Sequence, residues 1–386
     1  MLLSMLYRTV LIGLLTASGV LLSGCANQPA PSSQRTLHLI GYVMGSRSTA
    51  LSPSDARRLT HINYAFANVR DGRIVLERPA DAQQLDSLRA LKQYNPDLKL
   101  LLSVGGWTWS DHFSDAALTD SSRHRFARSA AAIVEQHQLD GLDIDWEYPG
   151  QRGEDNVYRP EDKQNFTRLL RALRSQLDSL GSAHDRTNGG RYLLTIAAAV
   201  DSTYLANTNM ADVQKHLDFV NLMTYDFHGS WTNRTGHHTN LLASSAAPSS
   251  APSGHAGVQR FLGTGVPADK LILGAAFYGR WWTGVSPADQ RGRYQSYATA
   301  QGTLPYDSLA AHYIDQNGFT RYWDDAAQAP YLWNAETRAF ITYDDPASLR
   351  AKAEYAREHG LGGIMYWEHS HNADGTLLGT LHDALR

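Results

Sequence analysis

The run Asp140-Gly141-Leu142-Asp143-Ile144-Asp145-Trp146-Glu147 sets three carboxylates on alternate positions, interleaved with Leu, Ile and Trp. In a strand, successive side chains face opposite sides, and same-side residues lie about 6.6 Å apart in Cα. Asp143, Asp145 and Glu147 therefore form an acidic row, while Leu142, Ile144 and Trp146 face a core. Carboxyl groups so crowded do not all ionise cheaply, and protons are shared among them. Glu147, the outermost, is expected to stay protonated near neutral pH and to act as a general acid. A solvated acidic turn would not alternate with apolar residues in this way.

Such a row needs a scaffold. Apolar, strand-like runs recur at 37–43, 61–69, 99–103, 140–147, 192–200, 219–225, 270–278 and 362–367, separated by helical patterns such as 81–93, 121–137 and 164–180. Strands alternating with helices indicate an α/β fold with a parallel sheet. Eight such units predict a (β/α)8 TIM barrel, whose chemistry sits at the C-terminal ends of the strands. The chain of 386 residues suits one barrel with surplus. More than eighty residues separate Tyr278 from Gly362, too many for a loop and a helix. Residues 281–340 are read as a small α+β insertion between strand 7 and helix 7, with the barrel at 36–280 and 341–386. The Ser/Ala/Pro run 244–254 reads as a mobile loop.

Further motifs end the other strands. Ser103-Val104-Gly105-Gly106-Trp107 closes the third, where the glycines permit a tight turn. Met223-Thr224-Tyr225-Asp226 closes the sixth. Alternation puts Met223 and Tyr225 on one side, so Asp226 needs a bend to join them. Phe277-Tyr278-Gly279-Arg280 closes the seventh and Trp367 the eighth. His237-His238 and His369/His371 lack the company and spacing of a metal site, and read as surface or cleft histidines. No metal, cofactor or phosphate loop is expected.

These motifs together resemble those of glycoside hydrolase family 18, the chitinase family, along almost the whole chain after residue 36. The octad is similar to its DGxDxDxE signature, 103–106 to its SxGG motif and 223–226 to its MxYD motif. The resemblance implies retaining hydrolysis of β-1,4-N-acetylglucosaminide bonds in chitin or its oligosaccharides. Glu147 would be acid and base, and the substrate's acetamido oxygen the nucleophile. Asp143, Asp145, Tyr225 and Asp226 complete the implied catalytic set, with Tyr42 and Ser103 hydrogen-bonded to Asp143. The implied sugar-lining residues are Tyr42, Phe66, Ser103, Gly106, Trp107, Tyr148, Met223, Trp231, Tyr278, Arg280 and Trp367. Within that set Trp107 and Trp231 flank the acceptor side and Trp367 floors the central sugar. Arg280 would bind sugar or order the cleft, unless it forms a structural salt bridge. The residue after Trp231 is Thr232, where the family often has an acid, which leaves the acceptor preference open. Two rivals share these motifs in part: an endo-β-N-acetylglucosaminidase acting on N-glycans, and a sugar-binding lectin, which would have no use for Glu147.

Composition is consistent with a carbohydrate partner. Nine Trp and 19 Tyr supply flat rings, and a net charge of −3 gives no reason to expect nucleic acid. A monomer is expected. At the N-terminus, Arg8 precedes an apolar run to Leu22, as in a signal peptide. Leu22-Ser23-Gly24-Cys25 resembles a bacterial lipobox and holds the only cysteine of the chain. This implies a signal at 1–24, lipidation of Cys25 and a tether at 25–35. Ala26 resembles the residue of lipoproteins sorted to the outer membrane. The expected location is thus the cell envelope, periplasmic or surface-facing, or outside the cell if Cys25 is unmodified.

Overall fold

The computed structural model describes residues 37–47, 51–186, 190–287 and 289–386. Cys25, the signal and the tether lie outside them.

Among the described residues a nine-stranded sheet closes on itself through pairing of its first and second strands. Arg73–Val75 is a hairpin appendage, antiparallel to the second strand. The other eight are His38–Met44, His61–Arg70, Lys99–Gly105, Gly141–Asp145, Leu193–Ala199, Phe219–Met223, Leu271–Ala276 and Gly363–Trp367. Every pairing among them is parallel. This is the (β/α)8 TIM barrel expected from the alternation.

The strands contribute to two apolar clusters. Ile40, Tyr42, Ala65, Phe219, Ile272 and Met365 fill the barrel interior. Leu39, Val43, Leu142 and Ile144 join the larger core between sheet and helices. The helices present matching stripes: Phe166, Leu169, Leu170, Leu173 and Leu177 of Asp162–Ala183 are all buried, at the spacing of one helical face. Thr119 caps Asp120–Gln136, its side chain accepting from the Ser122 amide. This helix leads directly into the acidic strand.

A second sheet of five antiparallel strands lies between the seventh and eighth barrel strands in sequence. Its strands are Tyr278–Thr283, Thr299–Pro305, Thr320–Asp324, Ala329–Asn334 and Ala339–Thr342. Trp282, Val285, Tyr331, Trp333 and Phe340 form its own core. The boundary differs from the expected 281–340. Tyr278 and Arg280 belong to this sheet, not to the end of the seventh barrel strand, which stops at Ala276. The run 244–254 is also anchored more firmly than a mobile loop: Ser244 donates to Asp324 at 2.6 Å, and Ser253 caps Gly254–Gly263.

Candidate active site

The acidic row rises from the barrel centre to its rim. Its apolar counterpart is locked behind it, with Trp146 stacked on Phe113 at 5.4 Å and edge-on to Phe166 at 5.5 Å. Asp143 is the deepest carboxylate and wholly buried. Tyr42 and Ser103 each donate to its Oδ2 at 2.8 Å. Thr195 donates to Oδ1 at 2.6 Å and Asn221 at 3.1 Å. Burial raises the pKa of Asp143 above the ordinary carboxylate value, against the pull of these four bonds.

Asp145 ends the strand and is 5% exposed. Burial, then the charges of Glu147 and Asp143, push it well above its usual pKa. Its Oδ1 is buried without a hydrogen-bond partner in the chain. Glu147 lies two residues beyond the strand, its amide held by the Ser110 hydroxyl at 2.9 Å. Its pKa is raised to about 7, chiefly by burial, against a hydrogen bond from Tyr148. The cause expected from the sequence is crowding by Asp143 and Asp145; the causes found are burial, with Glu147 only 8% exposed, and after it the charges of Asp226 and Glu154.

Around the row, Phe66 stacks on Trp367 at 5.5 Å, and Tyr42 lies 5.7 Å from the same indole. Gly106 has φ +79, and a Cβ there would come within 2.6 Å of the Phe66 ring, so only glycine admits that packing. Met223, Tyr225 and Trp367 pack on the barrel-interior cluster. Tyr148 sits between Trp107 at 6.4 Å and Tyr204 at 6.3 Å. Trp107 and Trp231 are 48% and 59% exposed, unusually open for indoles.

Asp226 makes the bend its motif requires, with φ +59. Its Oδ1 accepts from the Tyr278 hydroxyl at 2.7 Å and from Arg280 Nε at 2.6 Å. His238 lies with Nε2 3.2 Å from the Tyr278 carbonyl and Nδ1 3.6 Å from the same Oδ1. Burial alone would raise Asp226, but His238 and Arg280 outweigh it and hold the carboxyl below the ordinary range. Arg280 thus forms the ion pair that was one of its two expected roles.

The histidines are not on the surface. His237 and His238 are fully buried and His369 and His371 nearly so. His237 pairs with Asp324 of the second sheet at 3.1 Å, and His371 with Glu368 at 3.2 Å. His237 and His238 are covered by strands distant in sequence, whereas His369 and His371 meet Tyr366 and Glu368 only three residues away, and His238 faces Asp226. Among the described residues no group of three or more His, Cys, Asp or Glu is placed to hold a metal.

Two residues of the site escaped the sequence reading: Thr195 and Asn221. Their signal was a lone polar residue in each of two apolar strands, Leu-Leu-Thr-Ile and Phe-Val-Asn-Leu. In register, Ser103, Asp143 and Thr195 are direct neighbours across three strands.

The model of glycosyl hydrolases family 18 matches residues 38–372. Chitinase A1 of Niallia circulans is 38% identical over 431 aligned positions, covering 95% of this chain and 61% of that protein. Chitinase B of Serratia marcescens is 31% identical, over 86% of this chain and 77% of that one. The chain thus spans about three-fifths of the length of the first relative and three-quarters of the second. Among solved structures, a family 18 N-acetylglucosaminidase from Paenibacillus barengoltzii superposes with a TM-score of 0.85 at 44% identity, over 90% of this chain and all of that one. With its barrel, its acidic row and this match along most of its length, the chain belongs to glycoside hydrolase family 18.

Proposed function

We propose that this chain is a chitinase that cleaves β-1,4-N-acetylglucosaminide bonds with retention, using the substrate's own acetamido group. The observation that carries this reading is a buried Asp145 whose Oδ1 has no partner in the chain, two residues before a buried Glu147 whose pKa is pushed up to about 7. Glu147 protonates the leaving oxygen as the glycosidic bond breaks. The acetamido oxygen attacks the anomeric carbon and forms an oxazolinium ion. Asp145 turns its free oxygen to the acetamido nitrogen, and Tyr225 helps to steady the group. Glu147, now ionised, then takes a proton from water as it opens the ring. Most retaining glycosidases use a carboxylate nucleophile, and family 18 is a known exception. Trp107, Trp231 and Trp367 provide flat surfaces for a chain of several sugars. Glu147→Gln should lower turnover by at least ~10² while binding persists; near-normal turnover would remove Glu147 from this role.

A second reading, release of single N-acetylglucosamine units from chain ends, is favoured by the likeness to the Paenibacillus barengoltzii N-acetylglucosaminidase. A time course on an N-acetylglucosamine hexamer separates the two. Internal cleavage gives dimers to tetramers first, and end-wise release gives monomer and pentamer.

Lipidation of Cys25 and attachment to the cell envelope are also proposed, from the sequence around that residue.

A further inference from the structure

Trp231 is the most exposed large apolar residue among those described, yet it is not free to swing. Its ring folds back over its own turn, where a Cβ at Gly229 would lie 2.3 Å from Cη2. One neighbour of the indole is the Arg280 guanidinium, 4.4 Å from the ring centroid. The same side chain donates from Nε to Asp226 Oδ1 at 2.6 Å and is only 14% exposed. Tyr278 donates to that oxygen too, and His238 faces it, so all three contacts converge on Oδ1 and none uses Oδ2. An exposed indole, a half-buried guanidinium and the motif aspartate are therefore three links in direct contact.

We propose that Arg280 is a positioning residue that couples sugar occupancy of the Trp231 face to the setting of Asp226, so that acceptor binding raises turnover as well as affinity. The proposal rests on the hydrolase reading above and deepens it. A sugar laid on the outer face of Trp231 excludes water from the indole–guanidinium contact. A cation–π contact strengthens when it is desolvated. The firmer stack fixes the guanidinium plane, and with it the Nε–Oδ1 bond that orients Asp226. Contacts made equally in the ground and transition states change KM alone, whereas contacts realised at the reacting centre change kcat. Lysine at position 280 would keep the charge and lose the plane that both stacks and bonds.

The test is a double-mutant cycle in kcat and KM on the N-acetylglucosamine tetramer, whose sugars extend past the scissile bond, with thermal melting to check folding. Trp231→Ala should raise KM and also lower kcat, on the order of five-fold, the scale of desolvating one cation–π contact. In the Arg280→Lys background the same change should alter kcat by less than about two-fold, leaving a KM effect. Gly229→Ala, which keeps the indole but pushes it off its seat, should reproduce the kcat loss. Equal kcat effects in both backgrounds, or an effect of Trp231→Ala confined to KM, would overturn the coupling while leaving the hydrolase reading intact. A tetramer untouched by the unaltered enzyme would overturn both.

Discussion

The Thr195 hydroxyl donates to Asp143 Oδ1 at 2.6 Å, the shortest of the four hydrogen bonds that surround this buried carboxylate. A hydrogen bond to a charged group contributes about 1.5–3 kcal/mol. Thr195→Val keeps the shape and removes the donor, so it makes ionised Asp143 more costly and disturbs proton sharing along the row. A fall in kcat of about ten-fold or more is expected, with Thr195→Ser restoring most of it. Unchanged kcat in the valine variant would show that Asp143 does not depend on this bond.

The buried acid has a cost in stability. The pKa of Glu147 rises from 4.5 to about 7 on folding, so the folded chain binds more protons than the unfolded chain between those values. Its stability must then fall as pH rises through that window, by about 3 kcal/mol in total. Glu147→Gln removes the titration. Melting temperatures should be similar at pH 4 and clearly higher for the variant at pH 8. A variant that melts with the wild type at both pH values would mean that the acid is not buried as described.

Lys352 and Asp344 form an ion pair at 2.5 Å with side chains 1% and 0% exposed. Asp344 Oδ2 also accepts from the Ala276 amide at the end of the seventh barrel strand, and Lys352 donates to Thr239. The pair therefore ties helix Pro346–Glu358 to the barrel and to the segment after the Asp226 motif. Lys352→Ala leaves a buried anion without its partner and should cost about 3–5 kcal/mol, read by denaturant unfolding. A cost under about 1 kcal/mol would place the pair in effective contact with water.

Much of the site was legible because period-two alternation fixes which side a side chain takes. It put Asp143 and Asp145 together, set Trp146 against a core and required the bend at Asp226. What alternation in one strand does not carry is register between strands, and Thr195 and Asn221 enter the site only through register. Nor does it show where one sheet passes into another. Only Phe277 separates the seventh barrel strand from the first strand of the second sheet, so a single apolar run concealed the change. The burial of His237 and His238 was hidden for a related reason. His237 and His238 are buried by strands about forty to a hundred residues further on, and nothing local distinguishes them from loop residues.

Cys25→Ala should shift the protein from membrane to soluble fractions or block processing. Unchanged membrane association, with a mature N-terminus at another residue, would contradict lipidation.

The central claim is that the substrate supplies the nucleophile, and partially acetylated chitosan tests it most directly. A glucosamine unit keeps the glycosidic bond and most contacts but has no acetamido oxygen to attack the anomeric carbon. After limited digestion, the new reducing ends would be identified by isotope labelling and mass spectrometry. The account predicts N-acetylglucosamine at essentially every new reducing end and no cleavage of fully deacetylated polymer. Frequent glucosamine at those ends, or comparable rates on the deacetylated chain, would contradict it.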